Sequence, residues 1–195
     1  MTLALLTVIK RQYFSRWYAL KLQKGYVQVY TGNGKGKTTA ALGLALRAVG
    51  RRMMVCMIQF MKGGGPYGEQ LSAAVLAPFF TVVQTGRKGW IRKGSPTPED
   101  IRLAREALII SREALIGSRY DLVILDEINN AVHYGLVPVE EVLALIDLKP
   151  DTVELVLTGR YAHEKIIEAA DLVTEMREIK HYYRKGVPAR EGIEK

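Results

Sequence analysis

From residue 25 onward, short runs of consecutive apolar and β-branched residues alternate with longer stretches whose apolar positions recur at helical spacing. That alternation predicts an α/β fold, a parallel sheet wrapped by helices. Residues 26–30 read as a buried strand, followed by a glycine-rich turn and an Ala- and Leu-rich helix over 37–49. Strands are expected at 53–60 and 79–84, with a short helix at 68–76 between them. Thr97 reads as an N-cap, with Pro98 in the first helical position and Glu99 and Asp100 in the first turn. The helix it opens should run to about residue 116, with Ile101, Ala104, Leu108 and Leu115 near one face. A strand at 122–125 runs into Asp126-Glu127. A helix at 138–145, a strand at 153–157, a helix at 163–170 and a closing strand at 172–176 complete the pattern. A basic tail begins at Arg177. No internal repeat or low-complexity segment interrupts it, and the longest loop is 86–98, where long ordered loops in compact domains usually carry function.

Composition narrows this further. A chain of 195 residues with 48% hydrophobic and 25% charged positions has the size of one domain with one sizeable core. It is too apolar for intrinsic disorder, and no uninterrupted apolar run reaches the roughly 18 residues of a membrane span. The single cysteine, Cys56, excludes an internal disulfide and any multi-cysteine metal site. The net charge of +8 suits nucleic acid, an anionic membrane surface or a polyanionic small molecule without choosing among them. Residues 1–24 differ from the rest. An apolar stretch at 3–9 is followed by Lys10, Arg11, Arg16, Lys21 and Lys24, interleaved with Tyr13, Phe14, Trp17 and Tyr18. The charge follows the apolar stretch and no small-residue cleavage site appears, which is not a secretory signal. The segment is expected to be an N-terminal arm, either disordered or docked on a partner subunit, or else the product of a misassigned start codon. With no signal and a lone cysteine, the expected compartment is the cytoplasm.

The sharpest chemical signal is Thr31-Gly32-Asn33-Gly34-Lys35-Gly36-Lys37-Thr38-Thr39, between a predicted strand and a predicted helix. Successive backbone N–H groups of such a loop wrap a phosphate chain, the helix N-terminus adds partial positive charge, and Lys37 supplies a mobile cation. Thr38 can offer its hydroxyl to a magnesium ion. The general pattern G-x-x-x-x-G-K-[ST] asks for Gly at position 31, where this chain has Thr. Asp126, at the end of an apolar strand, stands where phosphate-loop proteins place an acid that reaches the metal directly or through water. Glu127 follows it, where a second acid often serves as base toward water.

Softer signals surround these. Gln59-Phe60-Met61-Lys62-Gly63-Gly64-Gly65 leaves the second strand at the carboxyl edge, where such sheets bind ligands; it reads equally as a flexible strand exit. Thr158-Gly159-Arg160 brings Arg160 to the same edge, to clamp a phosphate or carboxylate or to be solvated. Trp90, flanked by Arg87-Lys88 and Arg92-Lys93, suits stacking on a base or capping a large planar ligand. His133, His163 and His181 are too dispersed for a metal site.

Together, TGNGKGKTTAA (31–41), QFMKG (59–63), LVILDE (122–127), LTGR (157–160), AADLVTEMREIK (169–180) and the late Gly186/Gly192 spacing resemble the P-loop type of ATP:corrinoid adenosyltransferase, from residue 25 to the end. Thr in place of the first loop glycine is also what that family shows. The resemblance implies a P-loop NTPase of the RecA-like type and a homodimer. It implies transfer of the 5′-deoxyadenosyl group of ATP to a cob(I) corrinoid with release of triphosphate, the cob(I) state being supplied by an electron donor. It further implies that Gly32, Asn33, Gly34, Lys35, Gly36, Lys37, Thr38, Thr39 and Arg160 bind the nucleotide. Mg2+, or Mn2+ in its place, would be held by Thr38 with Asp126 or Glu127. Gln59, Lys62 and Trp90 are the corrinoid-binding candidates, and Lys37, Glu127 and Trp90 the catalytic ones. Trp90 would be the apolar lid that excludes water from the cobalt. Members carry an N-terminal segment over the partner's active site, a role for the arm at 1–24, and no nucleic acid or membrane is expected as partner. Cobalamin, cobinamide and an a,c-diamide precursor remain open as substrates. A RecA-like motor, a thymidine-kinase-like enzyme and a non-catalytic nucleotide sensor share the same core. The motor would need a nucleic-acid module, and the kinase a cysteine-rich lobe that Cys56 cannot build.

Overall fold

The computed structural model describes residues 21–89, 91 and 94–194. The expectations placed on the arm, beyond residues 21–24, and on Trp90 lie outside the described residues. In chain order the elements are β1 (Val27–Thr31), α1 (Lys37–Val49), β2 (Val55–Phe60), α2 (Gly68–Val75), β3 (Phe80–Thr85) and α3 (Pro98–Ile116). There follow β4 (Leu122–Asp126), α4 (Ile128–His133), α5 (Val139–Leu148), β5 (Glu154–Thr158), α6 (Glu164–Ala169), β6 (Leu172–Glu175) and a 3-10 turn at Tyr182–Lys185.

The strands form one six-stranded sheet in the order β3-β2-β4-β5-β1-β6, and every pairing is parallel. A parallel sheet needs helical crossovers, which cover both of its faces. The strand residues divide between those faces with period two. Cys56, Ile58, Phe60, Val123, Leu125, Leu155 and Leu157 point into the layer containing Ala104, Ala107 and Leu115 of α3, Ile128, Val142 and Ile166. Val55, Met57, Leu122, Ile124 and Val156 point the other way, against Ala41, Ala45 and Ala48 of α1 and Ala73 of α2. The small alanine face of α1 lets that helix lie close to the sheet, which sets where its first turn begins.

α1 occupies the expected residues, and the Thr97 cap is present: its side chain accepts from the Asp100 N–H, while Asp100 accepts from the Thr97 N–H. Three differences have physical causes. β2 starts at Val55 rather than 53, because residues 51–52 form a turn with Arg52 at φ 60°. α5 continues to Leu148, since residues 146–148 add a further turn before Pro150. α4 has no counterpart in the sequence pattern; Glu127 enters the left-handed region at φ 65° and turns the chain straight from β4 into this six-residue helix. Among the described residues, no helix is long and apolar enough to cross a membrane. Cys56 is buried, and burial pushes its thiol up to about 11, which leaves it inert at neutral pH.

Candidate functional site

Because all six strands are parallel, their carboxyl ends share one edge. The loop from β1 to α1 leaves that edge beside the ends of β5 and β6. Gly32 has φ 92°, and a Cβ there would lie 2.4 Å from the Met176 carbonyl oxygen; only glycine fits. The Gly34 N–H donates to that same carbonyl at 2.7 Å. The backbone at Met176, just past the end of β6, is thus a wall against which the loop is pressed. Thr31, the residue at variance with the general loop pattern, ends β1 nearly buried, and its hydroxyl accepts from the Ala162 N–H at 3.3 Å. A glycine there would leave that loop amide without its partner.

Lys37 is the first residue of α1 and is buried. Its ammonium folds back to donate to the carbonyls of Gly32 at 2.7 Å and Gly34 at 2.8 Å. Burial, and then the nearby Arg160, lower its pKa against the opposing pull of Glu127 and Asp126.

Asp126 is the centre of the edge, with no solvent exposure. Its Oδ1 accepts from the Thr38 hydroxyl at 2.9 Å and the Thr158 hydroxyl at 2.7 Å. Its Oδ2 accepts from Lys62 Nζ at 2.7 Å and Gln59 Nε2 at 3.2 Å. The network runs on: Gln59 Nε2 donates to Glu69 at 2.7 Å, Gln59 Oε1 accepts from Gln84 at 2.9 Å, and Lys62 lies 3.5 Å from Glu69. Gln59 is fully buried. Burial disfavours the Lys62 ammonium, but Asp126, Glu69 and Glu127 outweigh it and raise the pKa. Gln59 and Lys62, the corrinoid-binding candidates, both reach Asp126.

Glu127 caps α4; its N–H donates to Thr158 Oγ1 at 3.0 Å and its carboxylate accepts from Asn130 Nδ2. Burial raises its pKa, Asp126 raises it further, and Lys62, Lys37 and Arg160 pull it back. Arg160 is exposed at the end of β5 and acts on both Lys37 and Glu127 through its charge.

Glu69 and Gln84 carry no signal in the sequence, and Thr158 is marked there only as part of LTGR, because their roles depend on which strands are neighbours. Arg87, which the sequence marks only as a basic flank of Trp90, has a partner of its own. It donates from Nε to Asp100 Oδ1 at 2.6 Å and from Nη2 to Oδ2 at 3.2 Å, closing the loop after β3 onto the start of α3. The histidines do other work: His133 stacks on Tyr161 at 4.1 Å, while His163 and His181 cap turns. Among the described residues, no group of three or more His, Cys, Asp or Glu side chains is placed to hold a metal by itself. Thr38 and Glu127 offer hard oxygen donors of the kind magnesium takes, and a triphosphate would supply the others.

The chain matches the family described as ATP:corrinoid adenosyltransferase BtuR/CobO/CobP over residues 23–194. It is 38% identical over 172 residues to a corrinoid adenosyltransferase of Escherichia coli, covering 88% of this chain and 86% of that one. It is 36% identical over 172 residues to the corrinoid adenosyltransferase CobA of Salmonella typhimurium, with the same coverage. Among solved structures, the RadB recombinase aligns with a TM-score of 0.53 over 82% of this chain and 78% of that one, at 15% identity. That likeness extends to the fold alone.

Proposed function

The chain belongs to the ATP:corrinoid adenosyltransferase family, its reaction is the ATP-dependent adenosylation of a corrinoid, and we propose that the edge around Lys37 and Asp126 is where the ATP is held. A cob(I) centre attacks C5′ of the nucleotide: the cobalt–carbon bond forms from the cobalt electron pair, the C5′–O bond breaks, and triphosphate leaves. Attack at carbon asks for little proton transfer, so the protein acts chiefly by positioning and by stabilising charge on the leaving group.

The phosphate-loop residues 32–39 cradle the triphosphate, and Lys37 exchanges its contacts with the Gly32 and Gly34 carbonyls for phosphate oxygens. Arg160 approaches the same anion from the end of β5. Thr38 and Glu127 would hold Mg2+, or Mn2+, which supplies further charge neutralisation to the departing triphosphate. The observation that carries these roles is that Thr38 and Thr158 both hydrogen-bond Asp126 Oδ1, so the loop, β4 and β5 are fixed to one point. Trp90 belongs to the loop that Arg87 and Asp100 fasten, which supports its assignment as lid over the corrinoid. A homodimer, an arm at 1–24 covering the partner's site, a separate electron donor that generates cob(I), and a cytoplasmic setting complete the reading.

The test is anaerobic incubation with ATP, Mg2+ and a chemically reduced corrinoid. Cobalt–carbon bond formation, followed optically, should appear with stoichiometric intact triphosphate by phosphorus NMR. ADP accumulating in step with turnover would replace this reading with a kinase or ATPase.

A further inference from the structure

We infer that Lys62 is a built-in cation that keeps Asp126 off the metal, leaving Thr38 and Glu127 as the protein's own donors to a divalent ion on the triphosphate. The inference rests on the reading of this edge as the ATP site.

A carboxylate offers about four lone-pair positions. On Asp126 all four are taken by donors from three segments: Thr38 and Thr158 on Oδ1, Lys62 and Gln59 from β2 and its exit on Oδ2. Direct ligation would have to displace one of them. The two hydroxyls fix the strand ends to each other, and Gln59 is buried, its Nε2 donating to Glu69 as well and its Oε1 accepting from Gln84. Lys62 is the donor nearest to a divalent ion in chemistry, a positive charge 2.7 Å from Asp126 and 3.5 Å from Glu69. Its side chain is 22% exposed, so the place it occupies is open to solvent ions. The ammonium thus fills a seat between two carboxylates that would otherwise attract a metal.

Thr38 donates its proton to Asp126, so its oxygen lone pairs are turned outward and free for a cation. Glu127 meets a hydrogen-bond donor only at Asn130 among the described residues, so its carboxylate keeps acceptor capacity. Lys62 also offsets the acids of the edge, so that a triphosphate does not meet Asp126 and Glu69 as bare negative charge. Lys62 is therefore a positioning residue on the nucleotide side.

The experiment is Mn2+ titration followed by EPR, in the absence of nucleotide and of corrinoid. Wild type and Lys62→Arg should hold no ion tightly. Lys62→Ala should bind one Mn2+ at least about tenfold more tightly than wild type, because two carboxylates then face an emptied seat. The double variant Lys62→Ala with Asp126→Asn should lose that gain. Lys62→Gln keeps a donor but not the charge, and serves the same test should the alanine variant fail to fold. Folded Lys62→Ala or Lys62→Gln protein that binds Mn2+ no better than wild type overturns the inference. So does a wild type that binds Mn2+ without nucleotide and loses it in Asp126→Asn. Failure of adenosyl transfer by the wild type would strike the activity instead, and is read in a separate assay.

Discussion

Thr38, in the first turn of α1, donates its hydroxyl to Asp126 at the end of β4 across 2.9 Å, joining positions 88 residues apart in the chain. The contact sets the height of the phosphate loop above the sheet and turns the free side of the hydroxyl away from the carboxylate. Thr38→Val keeps the volume and removes the oxygen. It should weaken binding of Mg-ATP by about 1–3 kcal/mol while changing metal-free ATP binding little. Calorimetry with and without Mg2+ separates the two, and equal losses in both would remove the metal role from Thr38.

Lys37→Ala removes the one buried ammonium in the loop. A charge-assisted contact is worth roughly 1.5–3 kcal/mol, so turnover should fall on the order of ten- to a hundredfold if the contact tightens as triphosphate departs. The ligand-free protein should also lose some stability, because the ammonium there bonds the loop's own carbonyls. A variant with wild-type kcat/KM would show that the triphosphate is held elsewhere.

How far a feature can be read from the sequence depends on whether it is local. The strand–loop–helix around Lys37 is specified within a dozen residues, and α1 lies where the Ala- and Leu-rich pattern puts it. Asp126 is legible because an apolar run stops at an acid. The environment of Asp126 is not: Gln59 and Lys62 reach it only because β2 lies next to β4 in the sheet, pairing Gln59 with Asp126. The same holds for Arg87, whose basic neighbours suggest a solvated or ligand-facing loop, while the structure pairs it with a buried carboxylate 13 residues on. α4 is invisible because six residues are too few for a periodic pattern and because its start depends on the left-handed Glu127.

Gly63 offers a test of the corrinoid side. A Cβ there would fall 2.0 Å from the Gly86 carbonyl oxygen, so the exits of β2 and β3 touch backbone to backbone. Gly63→Ala must push the loop after β3 outward, at a cost of about 1–3 kcal/mol in stability. Since Trp90 lies in that loop, the KM for corrinoid should rise several-fold more than the KM for ATP, whose loop follows a different strand. An equal rise in both would mean that the loop after β3 does not serve the second substrate.

Asp100 carries the clearest pH signature. The Arg87 guanidinium, followed by the Thr97 N–H and hydroxyl, overcomes the effect of burial and holds its carboxyl down at about 2, against 3.8 ordinarily. The unfolded chain therefore binds a proton more readily than the folded one between those values. The stabilisation is complete above pH 4 and is lost as pH falls through about 2. A displacement of this size corresponds to about 2 kcal/mol at most. Arg87 is 38% exposed, and solvent screening reduces the figure to about 1 kcal/mol. Asp100→Asn should thus be less stable than wild type near neutral pH, with the gap closing between pH 4 and 2. Its loop should also be fastened less firmly, because an amide presents one acceptor where the guanidinium fork uses two. Urea unfolding of both proteins across that range measures the gap directly, and a difference that does not change with pH would deny Asp100 its ion pair with Arg87.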